Sequence, residues 1–175
     1  MLAKLRRGIG KHPGELPDLW ELTLQELPDE WLSYYGNPSR HENAIHTALT
    51  LYALHRQGKD RSMNVARVGE GERQYDESFG SAVARLVGQD ANNLDAVKRR
   101  FDAVATASDF TELSRHARGL IQLLKAADLP MNYPRFAMDL YNFQFADRAD
   151  GIRLRWGEDF YRVIDRSASR KEAEQ

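Results

Sequence analysis

Residues 108–128 read SDFTELSRHARGLIQLLKAAD, and this stretch predicts an amphipathic α-helix over residues 109–127. At about 100° per residue its apolar side chains fall within an arc of roughly 100°, which is the stripe that a helix turns toward a protein core. Asp109 is a suitable N-cap, and Glu112 follows at the spacing of a capping box. The stripe consists of Phe110, Leu113, Ala117, Leu120, Ile121 and Leu124.

A second face of the same helix is basic, and the segment KRRF (98–101) adds further cations just upstream. On the helix these residues fall in an arc about 80° wide beside the apolar stripe. A row of guanidinium groups can follow the phosphates of a nucleic acid, but helices also commonly solvate one face with arginine. Both interpretations remain open at this point. The basic face consists of Arg115, Arg118, Gln122 and Lys125, and in KRRF Lys98 and Arg100 flank an apolar face while Arg99 lies opposite it.

The rest of the chain divides into segments of helix length and helical periodicity that are separated by short breaks. The short run IRLRW (152–156) alternates like a strand, but the apolar residues that follow it continue at helical spacing. We therefore predict an all-α fold, a compact helical bundle of two small lobes that share a core. The predicted domain spans residues 1–165, residues 57–75 form a mobile loop, and residues 166–175 form a disordered charged tail.

Two further helices are predicted before the loop. One covers residues 18–27, and the other runs from about residue 39 to residue 56 behind Ser39 as its N-cap. The second helix has apolar residues on one face, which we expect to be buried. These residues are Ile45, Ala48, Leu49 and Tyr52.

The sequence HENAIH (41–46) is close to the H-E-x-x-H signature of zinc proteases, but its spacing does not suit a metal. His41 and His46 are five residues apart and would lie roughly 140° apart around a helix, too far to bind one ion together. The chain has no cysteine, so a thiolate site is excluded. The sequence also lacks a Gly-rich phosphate loop and a G-x-S-x-G motif. We therefore predict no metal, no cofactor and no catalytic activity.

The formal net charge of −1 conceals a strong segregation of charge near the start of the chain. Residues 1–14 contain Lys4, Arg6, Arg7 and Lys11 and no acid, whereas residues 15–35 contain acids and no base. Such a pattern suits a polyanion on one surface and another protein on a second surface. No signal peptide or membrane span is evident, so we expect a cytoplasmic protein without membrane contact.

The aromatic residues allow two interpretations. At helical spacing beside leucines they are typical core residues, although they could also stack on unpaired bases. We favour the core. The residues concerned are Trp20, Trp31, Trp156, Phe160 and Tyr161.

Several segments together resemble the CasB family, the small subunits of the type I-E CRISPR surveillance complex Cascade. The similarity runs in order from about residue 3 to residue 162. Family members carry another helix before LRRG, whereas only four residues precede Leu5 here. The segments are LRRG (5–8), NPSRHENAIHTALTLYALH (37–55), FGSAVARLV (79–87), VKRRFDAV (97–104), LSRHARGLIQLLKAADLPMNYPRFAMDLYNF (113–143) and RLRWGEDFYR (153–162).

The resemblance implies an all-α, non-catalytic subunit, two copies of which lie end to end against the guide RNA and the other Cascade subunits, the backbone and large subunits. It further implies basic surfaces that help to hold the target duplex and the displaced strand of an R-loop in antiviral defence. Family-basic positions correspond here to Arg6 and Arg7, Arg99 and Arg100, and Arg115 and Arg118. Lys11 and Lys125 complete our candidate nucleic-acid residues. The alternative is a helical adaptor that binds only proteins.

Overall fold

The structure, a computed structural model, describes residues 1–65, 67–68, 75–88 and 93–173; for residues 67–68, 75–76 and 170–173 it describes the backbone alone. The predicted all-α fold is confirmed, and buried apolar side chains from six helices form one shared core. In chain order the helices are α1 (Leu2–Arg6), α2 (Trp20–Thr23), α3 (Arg40–His55), α4 (Phe79–Arg85), α5 (Leu94–Ala105), α6 (Phe110–Ala126), α7 (Tyr133–Phe143) and α8 (Ala146–Ala173). Short 3-10 turns cover Pro17–Leu19 and Asp29–Trp31, and an antiparallel pair of strands, β1 (Arg67–Val68) and β2 (Tyr75–Asp76), pairs Arg67 with Asp76.

Helix α3 lies at the centre of the fold and begins at the predicted cap. The Ser39 hydroxyl accepts a hydrogen bond from the Glu42 amide at 3.1 Å, and the Glu42 carboxylate accepts one from the Ser39 amide at 2.6 Å. Helices α1, α2, α6 and α7 all pack against α3. The predicted apolar face is wrong for most of its residues, because Ile45, Leu49 and Tyr52 are only half-buried and Ala48 alone of the four is buried. A helix that packs against four neighbouring helices does not follow a single apolar stripe.

The N-terminal segment packs closely against α3 at Gly8, because glycine has no side chain to keep the two apart. A Cβ built on Gly8 would lie 2.6 Å from a methyl carbon of Leu19 and 3.1 Å from the ring of His46. His46 is buried, and its Nε2 lies 3.1 Å from the carbonyl oxygen of Gly8. Because this oxygen can only accept, Nε2 donates. The N-terminal segment is therefore held to α3 by close backbone packing and one buried hydrogen bond.

The helix predicted over residues 18–27 is shorter than expected. Its α-helical part covers only Trp20–Thr23, after the 3-10 turn at Pro17–Leu19. The chain then leaves helical geometry, and Glu26 has a φ of 67°. Leu19 is fully buried, which fixes this segment against the core despite its short helix.

Helix α4 lies directly against α8 because residue 80 has no side chain. A Cβ built on Gly80 would stand 3.1 Å from the carbonyl carbon and the Cα of Trp156 and would overlap its carbonyl oxygen. Trp156 is fully buried, and its ring centroid is 5.2 Å from that of Phe79 and 6.1 Å from that of Phe143. Its indole N–H donates to the Asp139 carboxylate at 2.7 Å. Helices α4, α7 and α8 thus meet at one tryptophan.

The loop predicted over residues 57–75 is partly anchored. Met63 is fully buried, and its carbonyl accepts a hydrogen bond from the Met131 amide at 3.1 Å. The Val65 amide donates to the Met131 carbonyl, also at 3.1 Å. The prediction of a mobile loop is therefore wrong for residues 63–65. For residues 66 and 69–74 it lies outside the described residues.

The disordered tail predicted over residues 166–175 does not agree with the structure up to Ala173, since α8 continues to that residue. The segment contains alanine, arginine, lysine and glutamate, which favour a helix once one has begun upstream. Residues 174 and 175 lie outside the described residues.

Helices α3 and α7 are joined by a buried polar contact. Nδ1 of His55 lies 3.0 Å from the hydroxyl oxygen of Tyr133, which also donates to the carbonyl of Leu51 at 3.3 Å. Burial lowers the pKa of His55 to about 4 and also lowers the pKa of His46. Both rings are therefore neutral at pH 7.

We expect Gly80→Ala to lower the free energy of unfolding by about 1–3 kcal/mol, the usual cost of overpacking a core. The new methyl group would push α4 away from α8. Gly157→Ala is the matched control, because nothing lies within 4 Å of a Cβ at that position of α8. Alanine should raise stability there by up to about 1 kcal/mol through helix propensity. Urea unfolding measures both variants, and equal stabilities would contradict the close approach of the two helices.

We expect stability to fall as the pH drops from about 6.5 toward 4. Over this range the imidazole of residue 55 takes up a proton in the unfolded chain but not in the folded chain. The stabilisation that His55 contributes is therefore complete above the pKa of the unfolded chain and is lost as the pH falls below it. The slope for this residue is at most about 1.4 kcal/mol per pH unit. Urea midpoints across this range are the measurement.

The control for this pH effect is His55→Asn, which keeps a polar atom near Nδ1 but does not titrate. It should lower stability at neutral pH and flatten the decline in acid. His12 is exposed, and His12→Asn should leave the slope unchanged. His46 is also buried and should leave part of the slope, so only a slope in His55→Asn as steep as that of the parent chain would rule out His55 as a source.

Candidate nucleic-acid interface

Helices α5 and α6 pack side by side and present the predicted cations. The apolar stripe predicted for α6 is confirmed, since five of its six residues are buried and Phe110 is half-buried. The Asp109 carboxylate accepts a hydrogen bond from the Glu112 amide at 2.8 Å, as predicted. The Glu112 carboxylate accepts from the amide and hydroxyl of Ser108 instead of from Asp109, and these bonds lower the pKa of Glu112.

Two of the basic segments found in the sequence converge on one groove between α5 and α6. Arg99 and Arg100 line it from α5, and Arg115 and His116 line it from α6. The groove has a volume of about 420 Å³. We name it the α5–α6 groove. Its cations come from two segments that are separated in sequence, so it is a product of the fold.

A second groove lies on the other side of Arg115. It is formed by residues 9–13, by α3 and by the first half of α6, and its volume is about 330 Å³. Lys11, Arg115 and Arg118 line it. We name it the N-terminal groove. Because Arg115 lines both grooves, the two grooves are joined at this residue. We call the five cations that line them the basic surface: Lys11, Arg99, Arg100, Arg115 and Arg118.

The cations of the basic surface are mostly exposed and weakly paired. Arg115 lies 3.8 Å from the Glu112 carboxylate, with 71% of its side chain exposed. Among the described residues, Arg99 hydrogen bonds only to the carbonyl of Asp95, at 3.3 Å. Arg100 and Arg118 have no ion-pair or hydrogen-bond partner within the described part of the chain. These guanidinium groups are available to an anionic ligand.

Two of the four cations near the start of the chain, Arg7 and Lys11, are paired with acids that follow them. Arg7 lies 2.7 Å from Asp18, and Lys11 lies 3.2 Å from Glu15. A hydrogen bond from the His12 amide and the ammonium group of Lys11 lower the pKa of Glu15. The acidic segment therefore neutralises part of the basic segment in the folded chain.

Three of the candidate residues lie outside both grooves. Arg6 is half-buried, and Arg7 forms its ion pair with Asp18. Lys125 donates to the side chain of Gln57 at 3.0 Å, at the far end of α6. The structure thus brings together Lys11, Arg99, Arg100, Arg115 and Arg118, and it leaves these three elsewhere.

Small residues that open the α5–α6 groove were not identified from the sequence. They are Ala96, Ala103 and Gly119. A glycine inside a helix costs about 1 kcal/mol relative to alanine, so Gly119 was a signal that space is required at this point. Ala96 and Ala103 are seven residues apart, two turns of the same helix face, and KRRF lies between them.

The aromatic residues divide between core and surface. Trp156 and Phe160 are fully buried, as predicted. Trp31 is half-buried. The prediction is wrong for Trp20 and Tyr161, which are 45% and 47% exposed. Leu19 beside Trp20 is fully buried, but Leu154, two helical turns before Tyr161, is 64% exposed, so helical spacing beside a leucine did not ensure burial.

The two histidines of HENAIH are held by different neighbours. His41 stacks between Trp31 and Tyr141, with ring centroids 4.7 and 4.2 Å away, while His46 bonds to Gly8. In the described residues no three histidine, aspartate or glutamate side chains are grouped so that they could hold a metal. The described helices also include none that is long and apolar enough to cross a membrane.

Residues 1–161 match the sequence family described as CRISPR-associated protein Cse2. The chain belongs to the Cse2 family. The resemblance to CasB is confirmed, since CasB from Thermobifida fusca is 30% identical and superposes with a TM-score of 0.68 over 91% of this chain and 82% of that chain. CasB from M. ruber is 21% identical, with a TM-score of 0.70 over 96% of this chain and 87% of that chain, and it shows the shared fold. No curated protein matches the chain significantly.

Cse2 and CasB proteins are structural subunits of CRISPR complexes and work with other CRISPR-associated subunits. Membership in the Cse2 family therefore supports a role in such a complex.

Proposed function

We propose that this Cse2-family chain is a non-catalytic, nucleic-acid-binding subunit of the type I-E CRISPR complex Cascade. In the cytoplasm it stabilises the guide RNA, the target DNA and the displaced strand of the R-loop. Its protein partners are the backbone and large subunits and a second copy of itself.

The convergence of Arg99, Arg100 and Arg115 on one groove carries this proposal. Three arginines around a surface groove form a patch of positive charge, which attracts phosphate groups and releases their counterions. Guanidinium groups also match the geometry of phosphate oxygens. No acid lines either groove among the described residues. A surface that was only solvated would have no need to gather exposed, weakly paired arginines from two helices.

The alternative is a helical adaptor that binds only proteins. It is favoured by Tyr34 and Tyr35, which are 80% and 93% exposed beside the acidic segment. Tyrosine is enriched at protein interfaces, and such a surface could serve a protein contact in either case. Only the nucleic-acid function predicts that the logarithm of the affinity for DNA falls linearly with the logarithm of the salt concentration.

We expect the double change Arg115→Ala and Arg118→Ala to weaken binding almost equally for all DNA sequences. For single strands the salt slope should fall by about 0.7 per lost phosphate contact. The free energy of unfolding should change by only a few tenths of a kcal/mol per site, since both side chains are exposed. Filter-binding titration at several salt concentrations is the measurement.

The matched control for this pair is Arg148→Ala with Arg162→Ala, two exposed arginines of α8 that line neither groove. This variant loses the same amount of positive charge, and its salt slope should equal that of the parent chain. In the reconstituted complex the Arg115 and Arg118 variant should form R-loops less completely, as seen by permanganate probing of the displaced strand. Unchanged slope and unchanged strand protection would remove this surface from the nucleic-acid function.

We expect Glu15→Gln to strengthen DNA binding by less than about fivefold, because exposed ion pairs are weak. The change frees Lys11 for a phosphate, while the glutamine oxygen can still accept from the His12 amide. Glu21→Gln, at an exposed acid outside both grooves, removes the same charge as a control. Equal gains from the two variants would show an effect of net charge alone.

A further inference from the structure

The N-terminal groove is apolar inside and basic at its edge. The buried or half-buried side chains that line it include Ile9, Pro13, Leu51 and Phe110. The exposed ones include the cations Lys11, Arg115 and Arg118. At about 330 Å³ the groove is near the lower limit of small-molecule pockets, which suits one compact group.

The α5–α6 groove has a different lining from the N-terminal groove, which indicates that the two grooves bind different chemical groups. It combines arginines with the small residues Ala96, Ala103 and Gly119, a suitable lining for phosphates alone. Phosphates gain nothing from contact with Ile9 or Phe110. A nucleobase does, because both of its faces are flat and apolar and stack on aromatic side chains.

A buried acceptor in the wall of the N-terminal groove favours a base over an apolar side chain. His46 lines the groove and is 3% exposed. Its Nε2 donates to Gly8, and its Nδ1 is buried without a hydrogen-bond partner in the described part of the chain. The carbonyls of Gly8 and Lys11 favour the charged ring, but burial outweighs them and lowers the pKa of His46. Nδ1 is thus an unpaired acceptor, which N–H groups at the edge of a base could satisfy.

We propose that the N-terminal groove holds one unstacked base of single-stranded DNA, with the adjoining phosphates on Lys11, Arg115 and Arg118. This inference rests on the proposed function. In an R-loop the displaced DNA strand is the one without a pairing partner, so its bases are free to leave the stack. Arg115, which lines both grooves, lets one strand continue from the N-terminal groove into the α5–α6 groove.

The first test compares a single-stranded DNA oligomer with an abasic oligomer of the same length and charge. The unchanged protein should bind the intact oligomer about tenfold more tightly, as expected for one stacked base. Equal affinities would overturn the proposal. The proposed function would still stand if both affinities fell with salt, and it would fail if neither did.

The second test fills the groove without removing a cation. Thr111 and Ser114 line it, and changing both to leucine adds aliphatic volume that cannot stack on a base. The variant should bind intact DNA as weakly as the parent binds abasic DNA, with an unchanged salt slope. The control, Thr106→Leu with Ser167→Leu, lies outside both grooves and should bind like the parent. Full affinity in the groove variant would contradict the proposal; if the variant did not fold, the abasic comparison alone would decide.

The third test identifies the strand in the reconstituted complex. A photoreactive base placed along the displaced DNA strand should cross-link to residues 9–13 or 110–118. Cross-links from the guide RNA instead would overturn the assignment to DNA. Preferential binding of a polyglutamate peptide over the intact oligomer would assign the groove to an acidic protein segment and would also overturn the proposal.

Discussion

The packing around the indole ring of Trp156 is the constraint on which the rest of the molecule depends. Its N–H donates to Asp139 of α7, and its backbone lies against Gly80 of α4. Phe79 of α4 contacts this ring and also Phe101 of α5, with a centroid separation of 6.1 Å. The orientation of α5, and with it the position of Arg99 and Arg100, therefore follows from the contacts that Phe101 makes on the core-facing side of that helix. The packing of the core thus determines the shape of the α5–α6 groove, on which the proposed function depends.

The polar groups inside this core are few, and most are paired. Burial raises the pKa of Asp139, although Trp156 and Arg155 both donate to it and oppose this effect. Arg155 remains half-exposed and brings its charge to the carboxylate from the surface. A buried carboxylate with two donors costs far less than an isolated one, and it also fixes the rotation of α8 about its axis. That rotation directs Trp156 and Phe160 inward.

The amphipathic period of α6 and the caps at Ser39 and Asp109 were predictable from sequence, because they depend on residues within one helical turn of each other. The exposed row of Arg115 and Arg118 follows from the same period. The meeting of Arg99 with Arg115 was not predictable in this way, since it depends on how α5 packs against α6. The prediction that Arg99 would lie opposite the apolar face also missed that this side of α5 borders the groove.

Other errors had the same physical origin. The burial of His46 requires the N-terminal segment to fold back over α3, and nothing within the helix itself indicates this. The resemblance to CasB implied the same all-α fold that the helical spacing predicted, and it added Arg6 and Arg7 to the basic positions. It did not separate Arg6 and Arg7 from the cations that line the grooves, because a basic position in a family does not indicate which side chains meet on the folded surface.

Residue 8 shows how a position without a side chain can govern a binding surface. The N-terminal segment forms one wall of the N-terminal groove, and it can lie against α3 only while a glycine leaves room for Leu19, Thr50 and His46. A larger residue would displace that wall together with Lys11 and leave the arginines of α6 in place. In a genetic screen for defective binding, changes at Gly8 would therefore be recovered beside changes at the arginines, and their phenotype would be mistaken for a lost contact.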